Sequence, residues 1–174
     1  MEANMTTEEN KMYEVLAAIS NTEAPIIFKG ALITKLILEE QGFNQVERMT
    51  RDIDANWVGE KPTMEDLVKT IQNAIGELKN KYTVVGTRAY GELKTAGLEF
   101  FDQQGKNLFM MDVNMNAVTS GVKEYYYGEG VIKGVIVDEL QAIKEFEASF
   151  DDRPVLVDGN ETRNKAKQII ERAR

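Results

Sequence analysis

The stretch RMTRDIDANW, Arg48 to Trp57, decides how the rest of the chain is read. From Asp52 onward apolar and polar residues alternate, with Ile53 and Ala55 on one side and Asp52, Asp54 and Asn56 on the other. A period of two is the signature of a half-buried strand. Two aspartates on one strand face are unusual, because Asp is a poor strand former and a buried carboxylate is costly unless neutralised. Their Cα atoms stand roughly 6–7 Å apart on such a strand. Either that face lies in water or it holds a cation.

Upstream, TTEENKMYEVLAAISN predicts a helix capped at Thr6 or Thr7, with Met12, Val15, Leu16 and Ile19 on one face. PIIFKG is a short apolar strand running into Gly30, and ALITKLILEEQG is a helix stopped by Gly42. Downstream, KPTMEDLVKTIQNAIGELKNK predicts one helix capped near Thr63, Glu65 and Asp66. YTVVGTRAYG, LKTAGLEFFDQ and KNLFMMDVNMNAV are strands, and the QQGK turn suggests antiparallel pairing. VKEYYYGEGVIKGV adds one or two short extended pieces. VDELQAIKEFEASF is a helix, Pro154 and DGN make a break, and ETRNKAKQIIERAR is a last helix. The expected class is α/β (α+β): a mixed, largely antiparallel sheet flanked by helices. The expected organisation is one domain over residues 1–174, with 136–174 a short helical C-terminal part.

Composition excludes much chemistry. The 174 residues include no Cys and no His. Thiolate zinc sites, cysteine nucleophiles, Ser-His-Asp triads and histidine metal sites are all impossible. Any metal must take oxygen ligands, which points to magnesium, manganese or calcium. The net charge of −8 disfavours non-specific nucleic-acid binding and favours solubility. No apolar run approaches the roughly 18–20 residues of a membrane span. The polar, acidic start MEANMTTEEN is unlike a signal or transit peptide, so a cytoplasmic location is expected.

Two carboxylates converging from one strand suit a hard divalent cation. A third is at hand in LFMMDVNM, where Asp112 follows four apolar residues in a strand that reads as central. The strand–Lys29–Gly30–helix joint adds a helix N-terminus, whose free N–H groups and dipole favour a phosphate. Gly30 lets backbone approach that phosphate, and Lys29 or Lys35 can add charge. On spacing alone the bland account stays open: Asp52 and Asp54 solvated at a strand end, with Asp112 salt-bridged far away. Trp57 and the Tyr125–Tyr127 run read as packing residues before base-stacking ones, and Arg163, Lys165, Lys167, Arg172 and Arg174 as a solvated helix face before an RNA contact.

Taken together, FKGALIT at Phe28–Thr34, RMTRDID at Arg48–Asp54 and FMMDV at Phe109–Val113 resemble the nucleotidyltransferase fold of the DNA polymerase beta superfamily. Within it they are most similar to the AbiEii-type abortive-infection toxins, which carry FKGGTAL followed by R-x-S-x-D-I-D. The resemblance covers roughly residues 10–145, with Thr50 in place of the family's serine. It implies that Asp52, Asp54 and Asp112 are catalytic and bind Mg2+ or Mn2+. It implies nucleotide-binding roles for Lys29, Gly30, Lys35, Arg48 and Thr50. It also implies transfer of a nucleoside monophosphate from a nucleoside triphosphate to an acceptor hydroxyl, with an RNA acceptor and an antitoxin protein as partners. Asp112 could also serve as the base for that hydroxyl.

The chain departs from the pattern at three places. Ala31 and Leu32 replace the family's second glycine and the hydroxyl residue after it. Glu139 stands where a later lysine is expected, with Lys144 just over one turn on. The C-terminal helical part is short. These departures support the alternative, a catalytically degenerate nucleotidyltransferase-fold protein serving as a nucleotide- or partner-binding module.

Overall fold

The alternation in RDIDANW is realised in a computed structural model, which describes residues 7–43, 51–88, 95–118, 121–148 and 157–173. Along the chain these form α1 (Thr7–Ser20), β1 (Ile26–Lys29), α2 (Ala31–Glu40), β2 (Asp52–Trp57) and α3 (Met64–Ala74). Then come β3 (Thr83–Arg88), β4 (Thr95–Phe101), β5 (Asn107–Asn114), β6 (Val122–Tyr127), β7 (Gly130–Val135), α4 (Glu139–Ala148) and α5 (Val157–Arg172). The strands make one seven-stranded sheet in the order β3-β4-β5-β2-β1-β7-β6. The pairs β1–β2, β3–β4, β4–β5 and β6–β7 are antiparallel, while β2–β5 and β1–β7 are parallel. The expected mixed, largely antiparallel α/β sheet is therefore the one observed.

Because side chains alternate, cross-strand partners form rows that share a face. Phe28, Ala55, Val113 and Ala96 are successive partners across β1, β2, β5 and β4, and all four are buried. Ile53, Met111 and Leu98 form the next row on that face. These rows pack with Val15, Leu16 and Ile19 of α1, Leu32, Ile33 and Leu36 of α2, and Leu67 and Ile71 of α3 in one apolar core. A smaller cluster of Leu38, Phe43, Ile143, Phe146 and Ala166 seats α4 and α5 on α2.

Two boundaries differ from expectation. The helix predicted through Lys81 ends at Ala74, where Gly76 takes a φ of +57° and the chain continues as a 3-10 turn, Gly76–Asn80. The left-handed glycine stops the α-helical ladder. The DGN predicted as a break, Asp158–Asn160, lies inside α5, since Asp and Asn suit a helix N-terminus as well as a turn. Pro154 lies outside the described residues.

Elsewhere local chemistry matches local structure. The Thr63 hydroxyl caps α3 by accepting from Asp66 N–H. Tyr125 is buried and Tyr126 is 61% exposed, so the tyrosine run alternates between core and solvent. Lys165 of α5 donates to the Gln41 carbonyl at 2.9 Å and lies over the Phe43 ring, while Arg163 pairs with Glu147 at 2.7 Å. These two basic residues help dock α5. Among the described residues no helix is long and apolar enough to cross a membrane.

Candidate active site

The row on the opposite sheet face carries the charge. Lys29 of β1 partners Asp54 of β2, Asp54 partners Asp112 of β5, and Asp112 partners Gly97 of β4. Neighbouring strands lie about 4.7–4.9 Å apart, so a cation and two carboxylates stand side by side. Asp52 shares the face one step toward the start of β2 and is exposed. Asp112 is therefore not remote from Asp54, while Asp52 lies exposed at the start of β2, as the bland account expects.

Electrostatics follow from this crowding. The Asp54 carboxyl is pushed above its ordinary value of 3.8, first by burial, then by Asp112, then by Asp52. Lys29 opposes these effects and lowers it. The Lys29 ammonium donates to Asn56 Oδ1 at 2.9 Å, and Asn56 donates through Nδ2 to the Asn116 carbonyl at 2.5 Å. Asn114, the strand partner of Asn56, donates to the Thr95 hydroxyl at 3.0 Å. An amide row thus borders the carboxylate row and fixes the lysine.

Gly30 joins β1 to α2 with a φ of +79°, a conformation L side chains rarely adopt. A Cβ built there would run into Asp54 Oδ2. Glycine is required twice, by its dihedral and by the carboxylate lying against its Cα. Gly30→Ala is expected to destabilise the fold by roughly 1–3 kcal/mol and to displace Asp54. Denaturant unfolding would measure the first effect, and loss of metal-dependent nucleotide binding the second.

Not every expected residue is in place. Lys35, expected near phosphate, is only 4% exposed, and its ammonium lies 2.5 Å from Glu9 of α1. One and a half turns into α2, its position faces the helix layer, where a cation needs a buried counter-charge. Arg48 and Thr50 lie outside the described residues. Leu32, standing where a hydroxyl is expected, is buried in the core. Glu139 accepts from Gln41 Nε2 at 3.2 Å. Asn56 and Asn114 were legible as same-face neighbours of Asp54 and Asp112 two residues along each strand, but nothing in the sequence paired them. Glu99, on the same face two strands from Asp52 through Met110, adds a further carboxylate that no motif announced.

Oxygen donors of this kind suit magnesium or manganese. Among the described residues, however, no group of three carboxylates is gathered at metal-holding distance. The backbone brings Asp54 and Asp112 alongside each other, but the side chains are not closed on a common point.

No protein-family model and no curated protein matches the sequence. Solved structures similar to the chain include MenT4, a nucleotidyltransferase toxin of Mycobacterium tuberculosis H37Rv, with TM-score 0.45 and 15% identity over 86% of this chain and 53% of that one. JHP933 of Helicobacter pylori gives TM-score 0.47 and 11% identity over 89% and 60%. A second H. pylori structure gives 0.48 and 14% over 87% and 59%. The chain spans 53%, 60% and 59% of these structures' lengths.

Proposed function

We propose that the chain is a metal-dependent nucleotidyltransferase that moves a nucleoside monophosphate from a nucleoside triphosphate to an acceptor hydroxyl. The observation that carries this reading is the adjacency of Asp54 and Asp112 in register, beside Lys29 and against Gly30. Asp52, Asp54 and Asp112 would hold magnesium or manganese, their like charges giving the site its affinity for a cation. The bound metal would neutralise phosphate charge and favour the ionised acceptor. Lys29 and the N–H groups at the start of α2 would receive the phosphates. The acceptor oxygen bonds to the α-phosphorus, its proton passes to Asp112, and the bond to the bridging oxygen breaks to release pyrophosphate. The resemblance to AbiEii-type toxins makes an RNA hydroxyl the acceptor to test first, and an antitoxin protein the partner.

Calorimetry decides the first step. Nucleoside triphosphate is expected to bind with magnesium and not with a chelator present, and Asp112→Asn to weaken that binding by about 10–100-fold. Equal binding by wild type and variant would sink the reading. Leu32 in the core and Glu139 hydrogen-bonded to Gln41 favour a second reading, a non-catalytic nucleotide-binding module. That reading predicts metal-dependent binding without pyrophosphate release for any acceptor.

A further inference from the structure

The sheet ends in β3 on one side and β6 on the other. The β3 edge is broken, because its register on β4 shifts between Gly86 and Arg88. A bulge of this kind turns an edge away from further pairing. The β6 edge is regular, since Val122 to Tyr127 pair with β7 residue by residue without a shift. Tyr127 and Gly130 close a two-residue turn, and at the far end of the ladder the Ile136 N–H donates to the Gly121 carbonyl at 2.8 Å. Hydrogen-bonded pairs alternate along an antiparallel ladder, so Lys123, Tyr125 and Tyr127 bond to β7. The N–H and C=O groups of Val122, Glu124 and Tyr126 therefore point outward, and among the described residues none bonds to them. A regular edge of this kind is a template for another strand.

The side chains along this edge define what would pair with it. Val122 and Tyr126 are 45% and 61% exposed, and they flank Glu124, which is exposed as well. Lys133 is the strand partner of Glu124, but its ammonium donates to the Thr22 carbonyl at 3.5 Å. Lys123 lies over the Tyr125 ring at 4.7 Å. Glu129 is exposed in the turn. On the helix side the Tyr125 phenol is raised first by burial, lowered by a bond with the Val137 backbone, and raised again by Glu40 and Glu139, both exposed. The edge is thus apolar at alternate positions and rimmed by carboxylates. A second copy would set that acidic rim against itself, in a chain of net charge −8, and like charges opposed across strands are unfavourable. We infer that β6 receives an extended, basic segment of another protein as an added strand. Its main chain bonds to Val122, Glu124 and Tyr126, with a lysine or arginine opposite Glu124 and apolar residues opposite Val122 and Tyr126. Main-chain bonds supply the affinity of such an addition, and alternate side chains its specificity. The inference is independent of nucleotidyl transfer, because β7 separates β6 from Lys29 of β1.

Two capped peptides test this, TVKKKVT and its acidic counterpart TVEEEVT, each able to set valines on Val122 and Tyr126. Amide hydrogen exchange, read residue by residue by NMR, is expected to slow at Val122, Glu124 and Tyr126 when TVKKKVT is added, with the β3 amides unchanged. By calorimetry TVKKKVT is expected to bind at least about tenfold more tightly than TVEEEVT. Glu124→Lys keeps the edge backbone and should reverse that preference. Glu124→Pro removes one outward N–H without touching the ladder to β7, and should weaken TVKKKVT by about tenfold or more. If the proline variant does not fold, the lysine variant still decides. Equal binding of the two peptides, binding of neither, or protection away from β6 would overturn the inference. Sedimentation of the protein alone checks the other occupant: a dimer whose formation protects the same three amides would assign the edge to a second copy and overturn it too.

Discussion

Replacing Lys35 by Met is expected to destabilise the protein by about 3–5 kcal/mol, the cost of leaving one member of a buried ion pair unmatched. Glu9 is fully buried, and Lys35 lies 2.5 Å from it with 5% of its side chain exposed. Tyr13 shows the polarity of this pocket. Its phenol is held well above the usual value of 10, first by burial and then by the nearby Glu9 and Glu39, and it donates to the Leu32 carbonyl at 2.7 Å. Removing the Lys35 cation from so acidic a pocket takes away the buried counter-charge of Glu9 and destabilises its surroundings. Denaturant melts at neutral pH would measure the loss. The double variant Glu9→Leu/Lys35→Met removes both charges and is expected to recover most of it, since paired removal is often near neutral. A single variant as stable as wild type would show that the pair contributes nothing. The effect reaches the site because the pair ties α1 to α2, and Gly30 is the N-cap of α2.

Much of this architecture is legible in the sequence. The alternation in RDIDANW placed Ile53 and Ala55 in the core and Asp52, Asp54 and Asn56 on the other face, because a period of two leaves no other assignment. The glycine at the β1–α2 joint announced a close approach of the backbone to a ligand. What it did not announce was the φ of +79° or the Asp54 carboxylate lying against its Cα. That contact depends on β1 and β2 pairing antiparallel in one register, which is information about strand order and not about any local stretch. The parallel β2–β5 pairing that sets Asp112 beside Asp54 is of the same kind. Lys35 was misplaced for a related reason. Its position near a helix start suggested phosphate, but its angle around α2 turned it toward Glu9, a partner 26 residues away. Local chemistry was readable, whereas partners distant in sequence were not.

Asp54→Asn is expected to lower transfer at least about a hundredfold while making the fold slightly more stable. The first effect follows if Asp54 holds the metal, because charge stabilisation of the departing pyrophosphate is worth several kcal/mol and every 1.36 kcal/mol is about tenfold in rate. The second follows from the strand row. Asp54 in the folded chain binds its proton more tightly than at its ordinary 3.8, through burial and the carboxylates of Asp112 and Asp52. A group with a raised native pKa favours the folded state where it is protonated. That contribution is complete below pH 3.8 and is lost as pH rises through the raised value. At neutral pH the ionised side chain therefore costs stability, and asparagine, of the same shape, relieves it. Like charges directly opposed across strands are worth roughly 0.2–1 kcal/mol, about 0.4–4 °C in a domain of this size. Thermal melts should show the variant above wild type at pH 7 and the gap closing as the pH falls toward 4. Added magnesium should raise the wild-type melt and leave the variant unmoved, which separates a metal site from mere charge crowding. Pyrophosphate release with bulk RNA as acceptor reads the rate. A variant that melts lower than wild type at pH 7 would refute the account of Asp54 as a strained, cation-seeking carboxylate. One that transfers at the wild-type rate would refute its place in the chemistry.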